Sequence, residues 1–187
     1  MRRATSLVIL AIMVVLAVTI PFGIRARYEG FSVPSESMVP ALLPGDYILV
    51  DKSVRGAERG EVIVFSDPGN AAEYLVKRVV AVAGEEVTVR DRHVYIGCAP
   101  DTGACAPLAE PYAMFEGPIR TLQRFGPVRV PPGRYFMMAD NRNAGADSRE
   151  YGAVGWELIA GRPLWIYWSR DPDTHAVRWD RVGQRVR

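Results

Sequence analysis

Histidine and cysteine are scarce in this chain of 187 residues, with two of each. Neither His93 nor His175 stands at ligand spacing from Cys98 or Cys105, which argues against a zinc site. His93 lies in a charged stretch and His175 in a polar tail after Asp171-Pro172-Asp173, so a Ser-His-Asp hydrolase is also disfavoured. A surplus charge of one sign is missing too. The 23 basic and 21 acidic residues leave a formal +2, evenly spread, which is too little to draw a nucleic acid. No internal repeat or low-complexity tract breaks the pattern. At this length the chain can bury a substantial core but has little room for two full domains.

What is present begins with an uncharged apolar run, Leu7 to Ile24, preceded by Arg2 and Arg3. Its length meets the lower end of what spans a bilayer as a helix, about 17 to 25 residues. A cleaved secretory signal shares the charged start and apolar middle. Here the run ends Pro21-Phe22-Gly23-Ile24-Arg25-Ala26-Arg27, with no small-x-small cleavage pattern. The expectation is a retained transmembrane helix within residues 1–27. Arg25 and Arg27 nearly balance Arg2, Arg3 and the terminal amine, so charge barely sets its orientation. Cys98 and Cys105, close together and without other cysteines, suit a disulfide made in an oxidising compartment, two unlinked thiols being the alternative. Residues 28–187 are therefore expected outside the cytoplasm.

After the anchor the pattern is mainly β. Tyr47–Val50, Val62–Phe65, Glu86–Val89, His93–Ile96, Tyr135–Met138 and Trp165–Trp168 are short runs rich in β-branched and aromatic residues. Turn signals separate them, among them Pro44-Gly45-Asp46, Arg59-Gly60-Glu61, Asp67-Pro68-Gly69-Asn70 and Pro131-Pro132-Gly133. Such spacing favours antiparallel sheets in a sandwich or partly open barrel. Residues 96–132, richer in proline, glycine and alanine, are expected to form a small inserted cap.

Two stretches forty residues apart carry chemistry. Pro34-Ser35-Glu36-Ser37-Met38 puts a serine in a turn after a hydrophobic entry strand, and Lys77 stands inside the apolar run Leu75 to Val82. A lysine buried among such residues loses hydration of its charged form, so its pKa falls and it can act as a neutral amine. A serine hydroxyl is a weak nucleophile until a base takes its proton, which a neutral lysine can do. The pair points to a Ser–Lys hydrolase. The plainer alternatives are a serine that only makes a turn and a lysine that reaches out to water.

Four blocks in order strengthen the first reading. The stretch Pro34 to Asp46 resembles the serine motif of the type I signal peptidases, and Arg59-Gly60-Glu61-Val62-Ile63-Val64-Phe65 resembles their next block. Lys77 to Glu85 is similar to their lysine block, and Met138-Ala139-Asp140-Asn141-Arg142 with Asp147-Ser148-Arg149 to their last. The resemblance implies Ser37 as nucleophile, Lys77 as general base, and an oxyanion hole made by the Ser35 hydroxyl and the Ser37 backbone N–H. It implies support of the active-site loop by Asp140, Asn141, Arg142 and Ser148, with Asp147 and Arg149 as a structural ion pair. No cofactor or metal is implied. Partners would be preproteins with signal peptides and the lipid bilayer, near the export machinery. The setting would be a bacterial plasma membrane, crossed once, with a cytoplasmic N-terminus.

Three residues depart from the family pattern. Gly145 falls where the family's serine hydroxyl helps hold the lysine amine, Ala139 replaces a glycine, and Glu36 replaces the glycine between the two serines. Alternation along an extended segment should turn Glu36 away from the face of Ser35 and Ser37. The same alternation groups Phe31 and Val33 with Ser35, and Met38 and Leu42 lie nearby; the resemblance assigns such residues to shallow pockets for small side chains, which Phe31 and Val33 could equally leave to seal core against membrane. Substrate would add as a strand near Ser35 and along Leu75, Val76 and Lys77. The expected activity is removal of signal peptides through an acyl-enzyme, with cutting after small residues. A peptidase maturing pilin or conjugation proteins, a self-cleaving regulator and a silent membrane-anchored scaffold are the rival readings.

Overall fold

The computed structural model describes residues 22–98 and 105–187, together with Met13, Ala17 and Thr19. Most of the anchor expected over Leu7 to Ile24 lies outside the described residues. Residues 22–27 are helical, and among the described residues no helix is long and apolar enough to cross a membrane.

Strands dominate the rest: β1 (Tyr28–Val33), β2 (Asp46–Asp51), β3 (Val62–Ser66), β4 (Tyr74–Val82), β5 (Glu86–Arg90), β6 (His93–Ile96), β7 (Phe125–Arg129), β8 (Arg134–Met138), β9 (Val154–Gly155) and β10 (Ile159–Ser169). One sheet has the order β1-β2-β10-β3-β4-β8-β9 and a smaller one the order β6-β5-β7. Every strand pair is antiparallel. Among the described residues beyond 27, helix is confined to the 3-10 turns Glu36–Met38 and Trp156–Leu158 and the short helix Ser148–Tyr151.

The middle of the large sheet is covered on both faces, which is why β3 reads as a continuous apolar run. Val62 and Val64 face a core with Val33, Met38, Leu42, Ile48, Val50 and Ile166. Ile63 and Phe65 face another with Val79, Met137 and Val154. Each such side chain contributes roughly 1.5–3 kcal/mol by leaving water. In β4, Lys77 stands directly opposite Ile63 and, by the period of two, shares a face with Leu75 and Val79. The lysine is therefore carried into an apolar layer by the strand itself.

A third core, built on Val80, Val87, Val89, Val94, Phe136 and Met138, joins the small sheet to β4 and β8. Within the stretch expected as a cap, β7 returns to pair with β5. Its sequence Phe125-Gly126-Pro127-Val128-Arg129 lacks a strand pattern, but it occupies a sheet edge, where a proline is tolerated. Cys98 and Cys105 are joined by a disulfide, with Cα atoms 5.8 Å apart. Between Cys105 and β7 the chain runs as a strap without strands, touching the large sheet's loops through a bridge from Met114 to Asn141.

Candidate active site

The serine turn is built from its apolar residues upward. β1 delivers the chain to Ser35, still extended at φ −122° and ψ 160°, and Glu36–Met38 then winds into a 3-10 turn. Met38 and Leu42 sink into the core at 1% and 0% exposure, and Leu42 N–H donates to the Met38 carbonyl at 2.8 Å. The turn closes at Gly45, whose φ of +86° and approach to the Arg170 carbonyl leave no room for a side chain. Glu36 points outward and Ser37 inward, but the cause is the 3-10 winding and not alternation along an extended segment. The hydroxyls of Ser35 and Ser37 lie 3.2 Å apart.

Lys77 meets this turn from β4. Its Nζ donates to Ser37 Oγ at 2.9 Å, and the side chain is buried. Burial pushes its pKa down to about 8; the carboxylates of Asp147, Asp140 and Asp67 oppose that shift and Arg149 adds to it. The result is an amine that changes protonation state near neutrality while touching a hydroxyl.

The loop of residues 139–149 encloses the pair. Arg78, next to Lys77, grips Asp140 through Nε at 2.7 Å and Nη2 at 2.6 Å. Asp147 caps the short helix by accepting from Arg149 N–H, holds the Arg149 guanidinium at 2.9 and 2.7 Å, and accepts from Ala139 N–H at 3.1 Å. This ion pair is buried, so removal of either partner would strand a charge out of water. Ser148 Oγ accepts from Met137 N–H at 2.9 Å, tying the helix to β8. Asn141 N–H donates to the Ser37 carbonyl at 3.0 Å. Arg142 points away from the pair, to Glu110 on the strap and to the Ala139 carbonyl.

Above Ser37 and Lys77 opens a cleft of about 690 Å³. Leu75, Tyr151 and the backbone-rich stretch Ala144-Gly145-Ala146 form its walls, and Glu36, Asp67, Arg120 and Asp173 its charged margin. Of the six apolar residues tied to substrate pockets by sequence, Leu75 lines this cleft. Val33, Met38 and Leu42 lie in the core beneath the serine turn, with Phe31 and Val76 packed against it. Gly145, at φ +80°, faces Ser37, and a Cβ there would lie 3.7 Å from the Ser37 Cβ. Among the described residues no three His, Cys, Asp or Glu side chains gather where a metal would bind.

Tyr151, Glu110 and Arg181 are among the participants absent from the candidates read in the sequence. Tyr151 could have been found as a neighbour of the Asp147-Ser148-Arg149 block. Glu110 and Arg181 had no signal, since their partners Arg142 and Asp46 lie 32 and 135 residues away.

The sequence matches known proteins over most of its length. The family model described as signal peptidase, peptidase S26, matches residues 2–168. A probable signal peptidase I-2 of Synechocystis sp. is 32% identical over 169 residues, covering 82% of this chain and 70% of the relative. A signal peptidase I of Bacillus licheniformis is 31% identical, covering 82% of this chain and 84% of the relative. A crystal structure of a signal peptidase I from Enterococcus faecalis V583 superposes with a TM-score of 0.46 at 28% identity, covering 59% of this chain and 98% of that one. With its family model spanning nearly the whole chain, this protein belongs to the signal peptidase family, peptidase S26, and is a serine endopeptidase.

Proposed function

We propose that this protein removes N-terminal signal peptides from exported preproteins by a Ser37–Lys77 dyad, cutting after small residues at the outer face of the membrane. The observation that carries the reading is the 2.9 Å contact between Lys77 Nζ and Ser37 Oγ inside an apolar layer. Once Lys77 is neutral the same contact runs in reverse, with the hydroxyl donating to the amine. Ser37 Oγ then attacks the scissile carbonyl carbon while its proton passes to Lys77. The developing oxyanion is received by the Ser37 backbone N–H and the Ser35 hydroxyl, each such donor being worth roughly 3 kcal/mol of barrier. As the C–N bond breaks, the Lys77 ammonium returns the proton to the leaving amine. Lys77 next takes a proton from water, which attacks the acyl-enzyme and frees Ser37.

The residue before the cut would lie beside Ser37 against Leu75, Tyr151 and the Ala144–Ala146 stretch, which line the cleft there. Residues 28–187 would form the extracytoplasmic catalytic part and residues 1–27 the cytoplasmic N-terminus and anchor. Tethering would raise the local concentration of membrane-borne preproteins. The test uses full-length protein in vesicles with a preprotein, the cut being located by mass spectrometry. A single cut after alanine, lost when tryptophan replaces that alanine and absent with Ser37→Ala, is expected. Equal cleavage of both preproteins, or cleavage only of its own chain, would reject the reading.

A further inference from the structure

Glu110 lies on the strap, outside the four sequence blocks that contain Ser37, Val62, Lys77 and Asp147, yet its side chain is only 6% exposed. It receives both terminal nitrogens of Arg142, Nη1 at 3.0 Å on one oxygen and Nη2 on the other. The Tyr112 hydroxyl donates to the same carboxylate at 3.1 Å. Each of these partners leads to one half of the dyad. Arg142 anchors the Ala139 carbonyl at 2.8 Å, and its own N–H donates to the Met114 carbonyl at 2.7 Å. Met114 N–H in turn donates to the Asp140 carbonyl at 2.8 Å. Asn141 is therefore fixed between the strap on one side and the Ser37 carbonyl on the other. On the lysine side, the Tyr112 ring lies 4.1 Å beneath the guanidinium of Arg78, the residue that follows Lys77 and grips Asp140.

We infer that Glu110 is a positioning residue for peptide cleavage: it locks the strap against Arg142 and Tyr112, and thereby sets the distance and the dryness of the Ser37–Lys77 contact. The inference rests on the dyad reading above. A buried carboxylate with three donors has one geometry available, so it transmits position and not merely charge. Loss of the lock lets the 139–149 loop relax from Ser37 and admits water to Lys77. The charged groups facing Lys77, namely Asp147, Asp140, Asp67 and Arg149, are otherwise unchanged. The direction of the effect is then distinctive. Removal of a negative charge by itself would move the Lys77 titration to lower pH, whereas rehydration of the amine moves it to higher pH.

The experiment measures kcat, KM and the pH dependence of preprotein cleavage for full-length wild type, Glu110→Gln, Glu110→Asp and Ser37→Ala, with near-ultraviolet circular dichroism to establish folding. Glu110→Gln is expected to lose about 10- to 100-fold in kcat, the scale of a nucleophile misplaced by up to ~1 Å, while KM changes little. Its acidic limb should move to higher pH. Glu110→Asp, which keeps the charge but shortens the reach, should fall between the two and is the deciding variant if Glu110→Gln does not fold. Wild-type kcat and pH midpoint in the folded variant, or a shift to lower pH, would overturn the role of Glu110 while an inert Ser37→Ala leaves the dyad standing. Cleavage by Ser37→Ala would overturn the dyad and this role together.

Discussion

Asp46 has no exposed surface, and Arg181 holds its carboxylate through Nε at 3.0 and 3.2 Å and Nη2 at 2.5 Å. The same carboxylate accepts from Ser169 Oγ at 2.6 Å and from Leu43 N–H at 2.8 Å. It thus binds the turn that carries Ser37 to β10 and to the segment beyond it. Arg181→Ala leaves this charge buried with Arg178 as the nearest remaining cation, 4.0 Å away. The expected loss of unfolding free energy is about 3 kcal/mol, the lower end for a broken buried pair. Urea denaturation of the full chain checks it, and a loss under about 1 kcal/mol, the range of an exposed pair, would contradict it.

Gly145 faces Ser37 at φ +80°, a backbone conformation that costs a side chain more than it costs glycine. Gly145→Ala is expected to lower stability by about 1–2 kcal/mol through backbone strain, because the added Cβ itself meets only an ordinary contact. Comparison of denaturation midpoints with wild type tests this, and an unchanged or raised midpoint would show that the loop can relax around the new methyl.

The expected strands were legible because β-branched runs between glycine and proline turns need only local information, as in Val62–Phe65 and Tyr135–Met138. Ser37 and Lys77 were legible as candidates because their chemistry requires a turn serine and an apolar lysine, and both environments show in the local sequence. Faces were harder. Periodicity of two groups Phe31 with Val33 but does not say whether their side meets substrate or core, and Val33 lies in the core with Met38 and Leu42. β7 was hidden by Gly126 and Pro127, which an edge position tolerates. The buried ion pairs Glu110–Arg142 and Asp46–Arg181 join residues far apart in the chain, and no local pattern encodes such a meeting.

Lys77 also makes stability depend on pH. Its folded pKa is about 8 against an ordinary 10.5. Below pH 8 both states carry the proton, and the native state bears the cost of a buried charge. Between 8 and 10.5 the native state has released its proton and the unfolded state has not, so stability rises with pH. Above 10.5 the cost is gone. Lys77→Met should therefore be more stable than wild type at neutral pH, with an advantage that shrinks across that window. A difference independent of pH would place the lysine charge in water.

Two titrations on one sample decide whether Lys77 works as the neutral base for Ser37. The first follows the side-chain amine of Lys77 by nuclear magnetic resonance with labelled lysine, and the second follows kcat/KM for preprotein cleavage. For free enzyme both should report the same group. The amine is expected to titrate near 8 and the rate to rise with pH through the same midpoint. An amine that titrates at the ordinary lysine value of 10.5 while the rate is already at its plateau by neutral pH would contradict that role.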